Sequence, residues 1–249
     1  MKPKIAIPMP TSFDPAYNRL NFSAYTDAVR ACGGEPVEVP LSLDDRQVRQ
    51  LVSECDGILL PGSPADVDPA LFGQDMDPAT SPADVVRENI DRALLEEAYR
   101  DRKPVFGICF GTQMLNVFRG GTLVQDLAIM PVNHPAGRSV AIAHTAAVSN
   151  GSLLADIIDR AECAEVDGVV RLPMNSSHHQ AVGIAGSDLQ VVARCPQDGV
   201  VEAVEGPFEG SNPHFVLGVQ WHPERTLGSS GTSRALFTRF LDEAGRWQR

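Results

Sequence analysis

The chain has 249 residues, 43% of them hydrophobic and 21% charged, which is ordinary globular composition with enough apolar material for a sizeable core. Its formal net charge of -11 argues against a nucleic-acid partner or an anionic membrane surface, since phosphates are held by clustered Lys and Arg. Five scattered cysteines, Cys32, Cys55, Cys109, Cys163 and Cys195, contain no C-x-x-C pair and fit neither a disulfide framework nor a cysteine zinc site.

The N-terminus MKPKIAIPMP places prolines where a secretory signal needs an apolar core, and no stretch approaches the roughly 18 apolar residues of a membrane span. The expected location is the cytoplasm.

Short apolar runs alternate with helical patterns through the first half, the signature of βαβ units. Residues 5–7 read as the first strand, 22–32 as an amphipathic helix closed by Gly33-Gly34, 36–39 as a strand and 44–53 as a helix. D-G-I-L-L-P-G at 56–62 is the next strand and its turn. Residues 63–83 are rich in Pro, Asp and Ala without a period and predict a long loop over a site. A helix over 84–102 follows, then the strand P-V-F-G-I and a second helix carrying Phe110, Met114 and Phe118 on one stripe, stopped by Gly120-Gly121. The second half predicts a meander, with strands in 139–148, 189–193 and 199–204 and helices near 151–158 and 231–244. The whole reads as one α/β domain over 1–249: a three-layer sandwich with a mostly parallel central sheet, a nucleophile elbow and a small antiparallel subsheet.

G-I-C-F-G at 107–111 stands between a predicted strand and a predicted helix, the context in which a G-x-nucleophile-x-G sequence forms a sharp elbow. Gly107 and Gly111 remove the Cβ atoms that would collide there, and the helix start brings its positive end near Cys109, which suits an attacking thiolate. The Phe110 N–H becomes an oxyanion donor. The plainer alternative is a buried apolar cysteine ending a core strand.

F-V-L-G-V-Q-W-H-P-E at 215–224 is an apolar strand delivering His222 and Glu224 at its end. In an extended chain residues i and i+2 share a side, so Glu224 is expected beside the His222 ring, orienting it as base and then acid for the thiol. A histidine at a strand end is otherwise structural.

These pieces resemble the class I glutamine amidotransferase fold, and within it the γ-glutamyl hydrolase branch typified by γ-glutamyl-γ-aminobutyrate hydrolase. The resemblance runs through residues 59–73, 104–127, 174–182 (M-N-S-S-H-H-Q-A-V), 198–205 and 218–224. It implies a Cys109, His222, Glu224 triad and an oxyanion hole from Phe110 and the Gly62-Ser63 turn. By the same resemblance Gln113, His178, His179 and Gln180 would hold the glutamyl moiety, in an enzyme that needs no cofactor and serves polyamine breakdown. The residues themselves leave 175–180 open as a solvated loop and Gln113 as a packing residue near the helix start. No metal is expected, because no further ligand stands at a usual spacing from the adjacent His178 and His179. Two departures touch the pocket rim: Phe110 stands where members of this branch often carry Arg, and Arg87-Glu88-Asn89-Ile90-Asp91 replaces an R-D-x-x-E pattern.

The expected reaction is hydrolysis of a small γ-glutamyl amide through a Cys109 thioester, by a chain that acts alone or as a homodimer. Three alternatives stay open: a glutaminase subunit passing ammonia to a synthetase, a cysteine α/β-hydrolase for esters or lactones, and a sensor that binds γ-glutamyl compounds.

Overall fold

Ile5, Ala6 and Ile7 are fully buried in β1 (Lys4–Pro8), as an apolar run covered on both faces must be. The computed structural model, which describes residues 1–208 and 214–247, continues through α1 (Pro15–Ala31), β2 (Glu35–Val39), α2 (Asp45–Ser53), β3 (Gly57–Leu60), α3 (Val85–Asp101), β4 (Val105–Ile108) and α4 (Phe110–Phe118). The second half adds β5 (Leu123–Val124), β6 (His144–Val148), α5 (Leu153–Ile157), β7 (Ala164–Val166), β8 (Val169–Met174), β9 (Ala181–Val182), β10 (Gln190–Arg194), β11 (Val201–Glu205), β12 (Val216–Val219) and α6 (Gly231–Arg246).

Strands β2-β1-β3-β4-β12 are parallel, and β5 and β9 pair as a separate antiparallel sheet. The α/β class, the parallel centre and the small antiparallel sheet are those expected. The meander also joins the main sheet, which runs on antiparallel from β12 through β11, β10, β6, β8 and β7 to make ten strands. Side-chain alternation sets the layers. Ile5, Ile7, Leu59 and Phe106 pack with α1 and α6, whereas Ala6, Ile58, Leu60 and Val105 pack with α2 and α3.

Several elements differ from expectation for local reasons. The first helix starts at Pro15, seven residues before 22, because Asp14 caps it by accepting the Tyr17 N–H and Pro15 suits the first turn. The strand expected within 139–148 spans only His144–Val148. A single 3-10 turn, Pro69–Phe72, interrupts the long loop. Strands β7 and β8 were not foreseen; Val169–Met174 alternates between half-buried and buried, but Pro173 masks the pattern.

The register places the site. Gly107 of β4 pairs with Leu60 of β3, and Ile108 pairs with Val219 of β12, so the chain leaves three adjacent parallel strands side by side at residues 61, 109 and 220. Carboxyl ends of such strands are where open α/β sheets bind ligands. Among the described residues no helix is long and apolar enough to cross a membrane.

Candidate active site

Cys109 sits between β4 and α4 with φ 53° and ψ -110°, a conformation that costs a non-glycine residue about 1–3 kcal/mol. The neighbours hold it there. The Cys109 N–H donates to the Val219 carbonyl at 2.8 Å, and that carbonyl also accepts the Thr112 hydroxyl at 2.7 Å. A Cβ on Gly111 would lie 2.1 Å from the Leu60 carbonyl oxygen, and one on Gly107 2.9 Å from the Gly111 oxygen, so only glycines permit the turn. The elbow is thus built as its two glycines suggest.

His222 arrives from β12, but not by strand parity. The strand ends at Val219, and Pro223–Arg225 form a 3-10 turn that folds Glu224 back onto the ring, with Nδ1 to Oε1 at 2.8 Å. The extended-chain argument therefore fails while the contact it aimed at is made. His222 and Cys109 both lie beside Gly62, where an added Cβ would meet His222 Cε1 at 3.0 Å and Cys109 Cβ at 3.6 Å. Burial works against an imidazolium here, yet the Glu224 carboxylate and the Cys109 sulfur outweigh it and push the His222 pKa up to about 9. The His222 backbone is clamped as well. Its N–H donates to Asn175 Oδ1 at 2.9 Å, and Asn175 Nδ2 donates to its carbonyl at 2.8 Å. The sequence pattern placed Asn175 only in a polar run.

The expected oxyanion donors separate. The Phe110 N–H opens α4 and has no acceptor within the helix. Gly62 donates its N–H to the Tyr25 hydroxyl at 3.1 Å, so the turn's uncommitted donor is the Ser63 N–H, which makes no bond among the described residues. Behind this turn lies the departure noted at 87–91. Arg87 is fully buried, paired with Asp91 at 2.7 Å, and donates to the carbonyls of Pro10 and Pro61, each at 2.8 Å. The altered pattern braces the turn from behind. Phe110 is buried against Val67 and Met114, with the Arg87 guanidinium 5.1 Å from its ring.

A cavity of about 350 Å³ opens over Cys109 and His222. Gln113, His178, His179 and Gln180 all line it. Gln113 Nε2 donates to the Gln180 carbonyl at 3.0 Å, and His179 Nε2 meets Asp66 at 3.0 Å. The His178 ring is otherwise engaged, its Nδ1 meeting the Gln180 carbonyl at 2.9 Å and its Nε2 facing Glu202. Lining residues that escaped the sequence reading include Tyr17 and Asn21 from α1, Arg138 and Arg225. Burial, with smaller effects from nearby charges, pushes the Tyr17 phenol up to about 12, so it stays a neutral donor. Arg225 Nη1 is buried without a hydrogen-bond partner.

Residues 9–224 match the Peptidase C26 family. The chain belongs to the Peptidase C26 family. Consistent with that, it is 36% identical over 226 residues to gamma-glutamyl-gamma-aminobutyrate hydrolase PuuD of Escherichia coli (strain K12), an alignment covering 87% of this chain and 83% of that one. The solved structures it resembles include PurLQS from Thermotoga maritima (TM-score 0.60, 18% identity, 97% of this chain and 99% of that one). They also include the glutaminase domain of Trypanosoma brucei CTPS with bound acivicin (TM-score 0.60, 16% identity, 100% and 96%). The latter two speak to fold alone. This Peptidase C26 member is accordingly a glutamine-amidotransferase-like hydrolase.

Proposed function

We infer that this Peptidase C26 member hydrolyses the amide bond of a small γ-glutamyl compound through a thioester on Cys109. The reading rests on one observation above all: a cysteine held at positive φ shares a cavity with a histidine whose Nδ1 is fixed by a buried glutamate. The Cys109 thiolate attacks the γ-carbonyl carbon, and the oxyanion forms opposite the Phe110 and Ser63 N–H groups. Each such donor is worth about 2.7–4 kcal/mol in the transition state. Imidazolium His222 protonates the departing amine as the C–N bond breaks, then, neutral, takes a proton from the water that attacks the thioester. Glutamate leaves and the thiolate returns.

The relative's printed substrate, γ-glutamyl-γ-aminobutyrate, fits the cavity's charges. Such a compound carries two carboxylates, and the pocket offers the Arg138 and Arg225 side chains to receive them. Gln113, His179 and Gln180 form the polar wall for the glutamyl amino acid end.

The test is glutamate release from a panel of γ-glutamyl amides that includes γ-glutamyl-γ-aminobutyrate and glutamine. We expect the former to be cleaved faster, with Cys109→Ala at least about 10⁴-fold slower and a glutamine-analogue inhibitor leaving a covalent mass on Cys109. Failure to cleave any of the panel removes the substrate class. Glutamine cleaved fastest, and faster still with an added synthetase, would favour the ammonia-delivering subunit.

A further inference from the structure

Around Glu202, four chemistry-bearing side chains from four separate stretches meet. His134 precedes β6, His144 begins it, His178 lies between β8 and β9, and Glu202 stands on β11. His134 and Glu202 are fully buried and the other two nearly so. Glu202 is the hub. Its Oε1 lies 2.8 Å from His144 Nε2 and 3.4 Å from His134 Nδ1, and its Oε2 lies 3.9 Å from His178 Nε2.

The hydrogen bonding is incomplete. His134 Nδ1, His178 Nε2 and Glu202 Oε2 are buried with no partner, as is His144 Nδ1, whereas buried polar atoms normally have one. His178 Nδ1 meets a carbonyl oxygen, which can only accept, so the ring proton sits on Nδ1 and Nε2 turns a lone pair toward the Glu202 carboxylate. A proton could join one such pair of acceptors. A cation seated among these rings beside Glu202 would give such lone pairs a partner.

We propose that His134, His144, His178 and Glu202 bind one divalent transition-metal ion of the zinc type. The ligand-capable atoms of His134, His144 and Glu202 lie within 4.8 Å of one another. Tetrahedral zinc with bonds of about 2.0–2.1 Å sets its donors roughly 3.3 Å apart, near the 2.8 and 3.4 Å that separate Glu202 Oε1 from His144 Nε2 and His134 Nδ1; His178 Nε2, 3.9 Å from Glu202 Oε2 and outside that group of three, joins by a turn of its ring. Three imidazoles and one carboxylate suit zinc and its neighbours, while magnesium and calcium prefer all-oxygen sites. The outer partners that orient metal-bound histidines are present too: His134 Nε2 meets Asp198 at 3.0 Å, and His178 Nδ1 meets the Gln180 carbonyl. With His134, His144 and Glu202 as the core of the set and the buried His178 ring beside it as the fourth ligand, no position stays open, so the ion is structural. It pins the pocket-lining 176–180 segment, whose Ser176 hydroxyl and His178 N–H both donate to the His134 carbonyl.

His134 Nε2 also lies near Cys195 and Asp198, a second possible ligand set that includes a thiol. The experiment separates the two. Full-length protein, purified after growth with zinc, is assayed for bound metal, stripped with a chelator and reloaded with Zn²⁺ or Co²⁺. We expect about one ion per chain, a melting temperature that falls on stripping and returns with Zn²⁺, and visible Co²⁺ bands without a near-ultraviolet thiolate transition. Glu202→Gln and His144→Ala should each bind more than tenfold less metal, and Cys195→Ala should keep it. Wild-type protein that takes up neither ion and melts unchanged in their presence overturns the proposal. So does metal that follows Cys195, seen as a thiolate band or as loss in Cys195→Ala. Should Glu202→Gln or His144→Ala fail to fold, the wild-type stoichiometry, melting response and Co²⁺ spectrum still decide.

Discussion

Cys109 and His178 lie on one cavity but are held by opposite means. Around Cys109 the constraint is backbone: parallel strands in register, two glycines with no room for a Cβ, and a carbonyl of β12 that accepts two donors. Around His178 it is side chain, a buried His–Glu group gathered from the antiparallel half. Steric constraint fixes atoms with little dependence on solution conditions, while a polar cluster holds a segment only as firmly as its charges are balanced. The half that we propose performs the bond-making is rigid by shape. The half that we propose forms the substrate wall is rigid by electrostatics.

Breaking the first half at its charge relay should have the largest effect. Glu224→Gln should lower kcat/KM by about 10³-fold at neutral pH, because His222 loses the carboxylate that fixes its tautomer. The pH profile sharpens this. His222 has a folded pKa of about 9 against 6.5 ordinarily, so its protonated form contributes stability fully below 6.5, and that contribution is lost as pH rises through about 9. Without Glu224 the alkaline limb of kcat/KM should move to lower pH, and the variant's stability deficit should shrink between pH 6.5 and 9. An unmoved limb would show that another group sets it.

Gly111→Ala comes next. The added methyl would sit 2.1 Å from the Leu60 oxygen, and separating β3 from α4 should cost about 3 kcal/mol in denaturant unfolding. A loss below about 0.5 kcal/mol would mean the elbow can shift, contrary to the steric account.

Asn175 joins the halves, reaching from the end of β8 to the His222 backbone. Asn175→Ala should reduce kcat by about tenfold with KM little changed, since it frees the base without touching the glutamyl wall. Smallest is Glu165→Lys on β7, the exposed strand at the end of the main sheet, expected to alter stability by less than about 0.5 kcal/mol in thermal melts.

The same contrast explains what the sequence made legible. The elbow could be read because strand, glycines, cysteine and helix are contiguous, and its sterics are settled within five residues. His222 and Glu224 could be paired because they are two residues apart, although the 3-10 turn that joins them was hidden by the apolar run before it. Asn175, Tyr25 and Arg87 could not be assigned, because each acts on backbone more than 25 residues away. The 134–144–178–202 group was invisible to spacing rules for the same reason: β6, β8 and β11 join one sheet only through the meander, with β10 between β11 and β6. Short strands such as β7 and β9 carry too few residues for a period to emerge.

Arg87 couples the interior of α3 to the turn that faces Cys109. Its guanidinium is not among the cavity-lining groups, yet it donates to the Pro61 carbonyl and is paired with Asp91 out of reach of water. The Pro61–Gly62 peptide, which leads into the proposed oxyanion turn, is thereby held from the core. A change at Arg87 or Asp91 would therefore register in the rate of bond-making more than in how tightly a ligand is held, marking a residue of the protein's interior as a governor of chemistry at its surface.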